Sequence, residues 1–174
     1  MKSYKTEQLR NIGLFAHGGA GKTSLAEALL FNTGAINRLG RVEEGTTVSD
    51  YDEEEKKRRI SVNLSLIPCE WKDCKLNVVD TPGYADFIGE VVEAFRVVDA
   101  AVLVLCAVNG VEVGTEQAWR LADERKLPRL AVVSRILEGY RGSIDIQSEA
   151  GSGTTCRIWL PERILPAEGN GTIS

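Results

Sequence analysis

The sequence predicts an α/β fold: a mostly parallel sheet flanked by helices, with a helix and a β-hairpin appended at the C-terminal end. Two observations carry this. Short apolar runs alternate with helical stretches along residues 11–133, the pattern of strands joined by helical crossovers. A glycine-rich turn also stands between the first apolar run and the first helix, where this kind of fold carries an anion site.

Taken in order, residues 11–16 (NIGLFA) read as a short buried strand. A helix of good helix formers follows from about Lys22 to Phe31. Residues 33–59 lack clear periodicity, and their charge run DEEEKKRR reads as a solvated loop. Residues 60–67 (ISVNLSLI) alternate strictly, which predicts a half-exposed strand. After a turn near Lys72 and Asp73, KLNVVD reads as its hairpin partner. Residues 86–98 predict a helix with Phe87, Val91, Ala94 and Phe95 on one face. Ala100 to Cys106 is a buried strand, 114–126 a helix, and LPRLAVV (127–133) another buried strand. In the tail, a short helix leads to GSIDIQSE and TTCRIWL, which alternate with period two around AGSG and predict a second hairpin. Residues 162–174 read as a disordered tail.

The chain has 174 residues, enough for one domain or one domain and a fragment. A net charge of −4 argues against a nucleic-acid binder that relies on overall charge. The four cysteines form no CxxC pair and read as reduced structural thiols. The longest apolar run, AAVLVLCAV, is too short to span a bilayer, and MKSYKTEQLR lacks a secretory apolar core, so the expected compartment is the cytoplasm. A single histidine, His17, excludes a multi-histidine metal site.

Residues 16–23 read AHGGAGKT between a strand and a helix. This is the phosphate-binding loop pattern, with Ala16 at its first glycine position. Backbone N–H groups of His17, Gly18, Gly19, Ala20 and Gly21 can turn inward and form a nest for an anion. Lys22 is placed to reach the β- and γ-phosphates, Thr23 to ligate Mg²⁺, and Ser24 to add a phosphate contact. Residues 80–83 read DTPG at a strand end. There Asp80 can hold Mg²⁺ and the Gly83 N–H can bond a γ-phosphate. The fold expected is therefore that of the phosphate-loop nucleoside triphosphatases.

With NIGLFAHGGAGKTSLAEALLF, RRISVNLSL and VVDTPGYADFIGEV in view, residues 1–133 resemble the start of a translational GTPase of the elongation factor G type, that is, a truncated G domain. The resemblance implies GTP or GDP as ligand, Mg²⁺ as cofactor, the ribosome as partner, and no membrane or DNA partner. It puts Ser61 where the family's switch threonine ligates Mg²⁺, although strand alternation accounts for Ser61 equally well. It makes Lys22 and Tyr84 the catalytic candidates.

Three departures from the family pattern shape the expectation. The family's loop commonly reads AHIDAGKT, and here Gly18 and Gly19 replace Ile and Asp. Tyr84 stands where a histidine usually orients the attacking water, and a phenol is a poor proton acceptor near neutral pH. After LPRLAVV the family continues N-K-x-D, which selects guanine. Here Ser134 and Arg135 fill the first two positions and Leu137 the last. Each charge-assisted bond lost there is worth roughly 1.5–3 kcal/mol. The enzyme expected is at most a slow GTPase. The alternative is a chimeric, non-catalytic interaction module without base-specific binding.

Residues 134–161, with their G-x-G-T-T turn and terminal leucine-proline, resemble the C-terminal end of a sensor histidine kinase ATP-binding domain. The phosphoacceptor histidine, Asn-bearing helix and ATP lid of that family are not visible here. The resemblance therefore implies structure at this end and no nucleotide chemistry, with a seam at Val133/Ser134.

Overall fold

The computed structural model describes residues 2–133 in full, and the backbone alone at 134, 143–149 and 153–159. The chain divides into two compact units, Met1–Ser134 and Arg135–Ser174.

In the first unit, β1 (Leu9–Phe15) leads through the glycine-rich loop into α1 (Lys22–Asn32). A long connection holds α2 (Glu53–Arg58). The hairpin β2 (Ser65–Trp71) and β3 (Cys74–Asp80) follows. Then come α3 (Ile88–Val97), β4 (Ala100–Cys106), α4 (Val113–Glu124) and β5 (Arg129–Ser134). The sheet order is β2-β3-β1-β4-β5, and only β2 runs antiparallel. This is the phosphate-loop GTPase fold, a mostly parallel five-stranded sheet flanked by helices.

Both faces of the central strands are covered, and neighbouring residues serve opposite cores. Leu14 and Val78 pack with Ala26 and Leu30 of α1 and with Ile67. The adjacent Phe15 and Val79 pack on the other face with Phe95 and Ala94 of α3 and Ala118 and Ala122 of α4. Period-two alternation is therefore invisible in β1 and β3, whose inner residues are apolar on both sides. The rings of Phe15 and Phe95 stack at 3.8 Å and 9° and pin α3 to β1. On α4, Trp119 lies under the Arg129 guanidinium of β5 at 4.2 Å, and Asp123 accepts from the same group at 2.6 Å.

Two expected elements are corrected. Residues 60–64 are not strand: the strand is Ser65–Trp71, because only those residues pair with β3, from Ser65↔Asp80 to Trp71↔Cys74. The charge run is solvated apart from the buried Glu55, but it forms the helix α2 instead of a loop. Asp52 caps this helix by accepting the Glu54 N–H at 2.8 Å, while Glu55 accepts the Asp52 N–H at 3.2 Å. The helix expected at 86–98 begins as a single 3₁₀ turn, Ala85–Phe87, before α3. Cys69, Cys74 and Cys106 are free thiols.

The second unit contains an antiparallel hairpin, β6 (Ser143–Glu149) and β7 (Gly153–Trp159), in register from Ser143↔Trp159 to Glu149↔Gly153. The helix expected between β5 and β6 and the tail at 162–174 lie outside the described residues, as do Arg135 and Leu137.

Candidate nucleotide site

The parallel register of β1 and β3 sets Leu14 beside Asp80, so the loop after β1 and the DTPG turn after β3 emerge together. The carboxyl ends of the strands in such a sheet are where ligands bind. Thr81 ties the two strands there, donating from Oγ1 to the Leu14 carbonyl at 2.7 Å.

The loop takes backbone conformations that favour glycine. Gly19 and Gly21 have φ of 75° and 95°, a region that side chains rarely adopt, and Gly21 is the N-cap residue of α1. Alternating such residues with right-handed ones can turn successive N–H groups to one side at a helix N-terminus, while the Ala20 N–H is engaged within the loop, donating to the His17 carbonyl at 3.3 Å. Lys22 is buried and donates to the carbonyls of Ala16 and His17, at 3.3 and 3.1 Å. Burial pulls its pKa down to about 8 against the opposing pull of Asp80 and Asp50. His17 turns toward α4, its Nε2 3.7 Å from Glu112 Oε1. Ser24 is exposed on the first turn of α1.

Around Thr23 four oxygen-bearing side chains meet. Thr23 Oγ1 lies 2.8 Å from Asp80 Oδ2 and 3.2 Å from Ser61 Oγ. Ser61 donates in turn to Asp50 Oδ1 at 2.7 Å, and Asp50 Oδ2 accepts from Thr47 at 3.3 Å. Asp80 is 2% exposed, and its second oxygen, Oδ1, has no hydrogen-bond partner. Burial raises its pKa to about 6, opposed by the Thr23 hydrogen bond, the Lys22 charge and the nearby Ser49 hydroxyl. Burial raises Asp50 as well, opposed by its Ser61 bond.

Ser61 thus joins the site although it belongs to no strand, and Asp50 is a member the sequence did not reveal. Two further residues were not legible as site-builders. Glu27 on α1 is buried and accepts the N–H groups of Val48 and, at 3.0 Å, Gly40. Glu55 is equally buried and accepts from Val62 and Asn63 at 2.9 and 3.0 Å. Between them these carboxylates fasten the connection that carries Asp50 and Ser61. A capping-box spacing, Asp52 to Glu55, was the available signal for α2.

Gly83 backs directly onto the loop: a Cβ there would stand 2.6 Å from the Gly18 nitrogen. Tyr84 follows, exposed, with one side of its ring against Gly18. At the far end of the site, β5 finishes at Ser134, level with Cys106 of β4.

The residues fit a hard divalent cation. Mg²⁺ takes oxygen ligands, needs one or two carboxylates, and completes its shell with water and phosphate. A buried carboxylate with one unpartnered oxygen, its other oxygen bonded to a hydroxyl that touches a second hydroxyl, meets that description. Among the described residues no group of three or more His, Cys, Asp and Glu side chains could hold a metal by itself.

Comparison with known proteins agrees with this geometry. The elongation factor Tu GTP-binding domain family matches residues 7–136. Elongation factor G of Salinibacter ruber is 43% identical over 135 residues, which is 78% of this chain and 19% of that protein. Elongation factor G 2 of Borreliella burgdorferi is 40% identical over 128 residues, 74% of this chain and 19% of its own. A crystal structure from Thermus thermophilus superposes with a TM-score of 0.70 at 46% identity, covering 72% of this chain and 19% of that one. The chain spans about a fifth of the length of these relatives. With three quarters of its residues matched, from the strand before the glycine loop through β5, the chain belongs to the elongation factor Tu GTP-binding domain family.

Proposed function

We propose that this chain binds a guanine nucleotide with Mg²⁺ through residues 16–24 and 80–83, and that it hydrolyses GTP slowly or not at all. The observation that carries the reading is the pair of hydroxyls, Thr23 and Ser61, 3.2 Å apart and bonded to the carboxylates of Asp80 and Asp50, with Asp80 Oδ1 left unpartnered. Thr23 and Ser61 would hold the cation directly, and Asp80, with Asp50 behind Ser61, would hold it through its charge. When bound, Mg²⁺ would draw charge from the β- and γ-phosphate oxygens.

The nest from His17 to Gly21 receives the phosphates, and Lys22 exchanges its two carbonyl partners for phosphate oxygen. The Gly83 N–H faces the terminal phosphate. Tyr84 occupies the water-orienting position, and without a proton acceptor of suitable basicity there, turnover is slow. Ser134 and Leu137 replace the base-selecting residues of N-K-x-D, so base preference is weak. The resemblance to elongation factor G supports the ribosome as a proposed partner. Among the described residues no helix is long and apolar enough to cross a membrane.

A second reading rests on those same base-motif positions: a module that has kept the fold, lost base recognition and works through contacts alone. The test is a titration with fluorescent nucleotide and Mg²⁺, competed by GDP and by ADP. Mg²⁺-dependent binding displaced more readily by GDP supports the nucleotide reading. Binding displaced equally by both leaves a phosphate site without base selection. The absence of Mg²⁺-dependent binding favours the interaction module.

A further inference from the structure

The two glycines of the loop answer different needs. Gly19 has a left-handed backbone and open space around its Cα. Gly18 is the reverse: its φ is not positive, so an alanine fits its backbone. What excludes a side chain is Tyr84, whose ring atoms would lie 2.7, 2.9 and 3.0 Å from a Cβ. Real Cβ atoms essentially never come closer than 3.0 Å, so the ring must shift to admit a side chain. Gly83 presses on the same residue from the DTPG turn, 2.6 and 2.7 Å from the Gly18 nitrogen and Cα when given a Cβ. Gly18 of the glycine-rich loop is thus bracketed by two consecutive residues of the β3–α3 connection.

We propose that Gly18 and Tyr84 are a matched pair, in which the bare Cα of Gly18 seats the Tyr84 ring and the seated ring fixes the phosphate loop against the DTPG turn. Tyr84 is then a positioning residue acting through the loop backbone, and its ring matters more than its hydroxyl. Tyr84 is 40% exposed, so its ring can turn toward solvent when displaced. A cleft of about 50 Å³ lies beside it, lined by Phe15, Pro82, Ile88, Val91, Val113 and Ala118. A side chain at position 18 therefore unseats the ring without unfolding the domain.

The pair's effect on nucleotide rests on the reading above, that the loop takes a Mg²⁺–nucleotide. Its effect on the loop alone does not. The test is a double-mutant cycle of Gly18→Ala with Tyr84→Ala, repeated with Tyr84→Phe, read by thermal unfolding of the full chain without nucleotide and by release of fluorescent GDP with Mg²⁺. Gly18→Ala is expected to lower the Tm by about 3 °C and to speed release roughly fivefold, both with Tyr84 and with Phe at 84. In the Tyr84→Ala background it adds nothing to either. An equal effect of Gly18→Ala in all three backgrounds, or no effect beside the native tyrosine, overturns the pairing. A chain that binds no nucleotide refutes the proposed function, while the unfolding arm still decides whether the pair exists.

Discussion

Thr23 Oγ1 donates to Asp80 Oδ2 across 2.8 Å, joining the first turn of α1 to the end of β3. The bond satisfies one oxygen of a carboxylate whose other oxygen has no partner. Thr23→Ala leaves both without one. That substitution should cost about 1–3 kcal/mol of stability without nucleotide, seen as a lower urea midpoint at unchanged slope. It should also abolish the Mg²⁺ dependence of nucleotide binding. A midpoint equal to that of the native chain would show that the bond contributes nothing.

Asp80 also sets a pH dependence. Its folded pKa, about 6, lies above the ordinary aspartate value of 3.8, so the folded state holds its proton more tightly than the unfolded state does. Stability without nucleotide should therefore fall as pH rises from about 4 to about 6, by about 3 kcal/mol at most from this group. Asp50, raised as well, adds a contribution of the same sign. Urea unfolding at several pH values, native chain against Asp80→Asn, isolates the Asp80 contribution. A difference between the two chains that stays constant across that window would contradict it.

Lys22 predicts an exchange of stability for binding. Its charge is buried, and its pKa falls from 10.5 to about 8. Lys22→Met removes the buried ammonium and should raise the stability of the nucleotide-free chain by about 1–2 kcal/mol. The same substitution should weaken Mg²⁺–GDP binding by about 100-fold. Loss of both stability and binding would mean that the carbonyls of Ala16 and His17 already hold the charge well.

Glu55 should govern the connection that carries Asp50 and Ser61. Its carboxylate accepts backbone N–H groups from Asp52, Val62 and Asn63. Glu55→Ala should destabilise the chain by about 2 kcal/mol. It should also speed hydrogen exchange at Val62 and Asn63 while leaving the amides of α1 protected. Unchanged exchange at Val62 and Asn63 would remove Glu55 from this role.

The parts of the fold that the sequence disclosed are those whose pattern is local. β1, α1, β4 and β5 stand out because continuous apolar runs and a glycine turn mark them without reference to a partner. β2 does not. Ile60, Val62 and Leu64 alternate like a strand, but the Val62 and Leu64 N–H groups bond the carboxylates of Glu55 and Glu90 instead of a neighbouring strand. The site divides in the same way. Lys22, Thr23 and Asp80 sit in contiguous motifs. Asp50, Glu27 and Glu55 resemble any surface carboxylate until the fold brings distant N–H and hydroxyl groups to them. The Tyr84 contact with Gly18 is of this second kind, since neither residue alone reveals why the loop has two glycines.

The place of β1 at the middle of the sheet has a kinetic consequence. Asn11 of β1 accepts from Asn77, 66 residues later, and donates its N–H to Asp99, 88 residues later. The strand synthesised first therefore has no lateral partner until most of the domain exists. At ordinary rates of chain elongation that wait is on the order of ten seconds. Meanwhile the apolar residues of β1 lie ahead of a phosphate loop that has nothing to hold it. The glycine-rich loop is therefore expected to order late in folding, together with β3 and β4 instead of with the segment that encodes it.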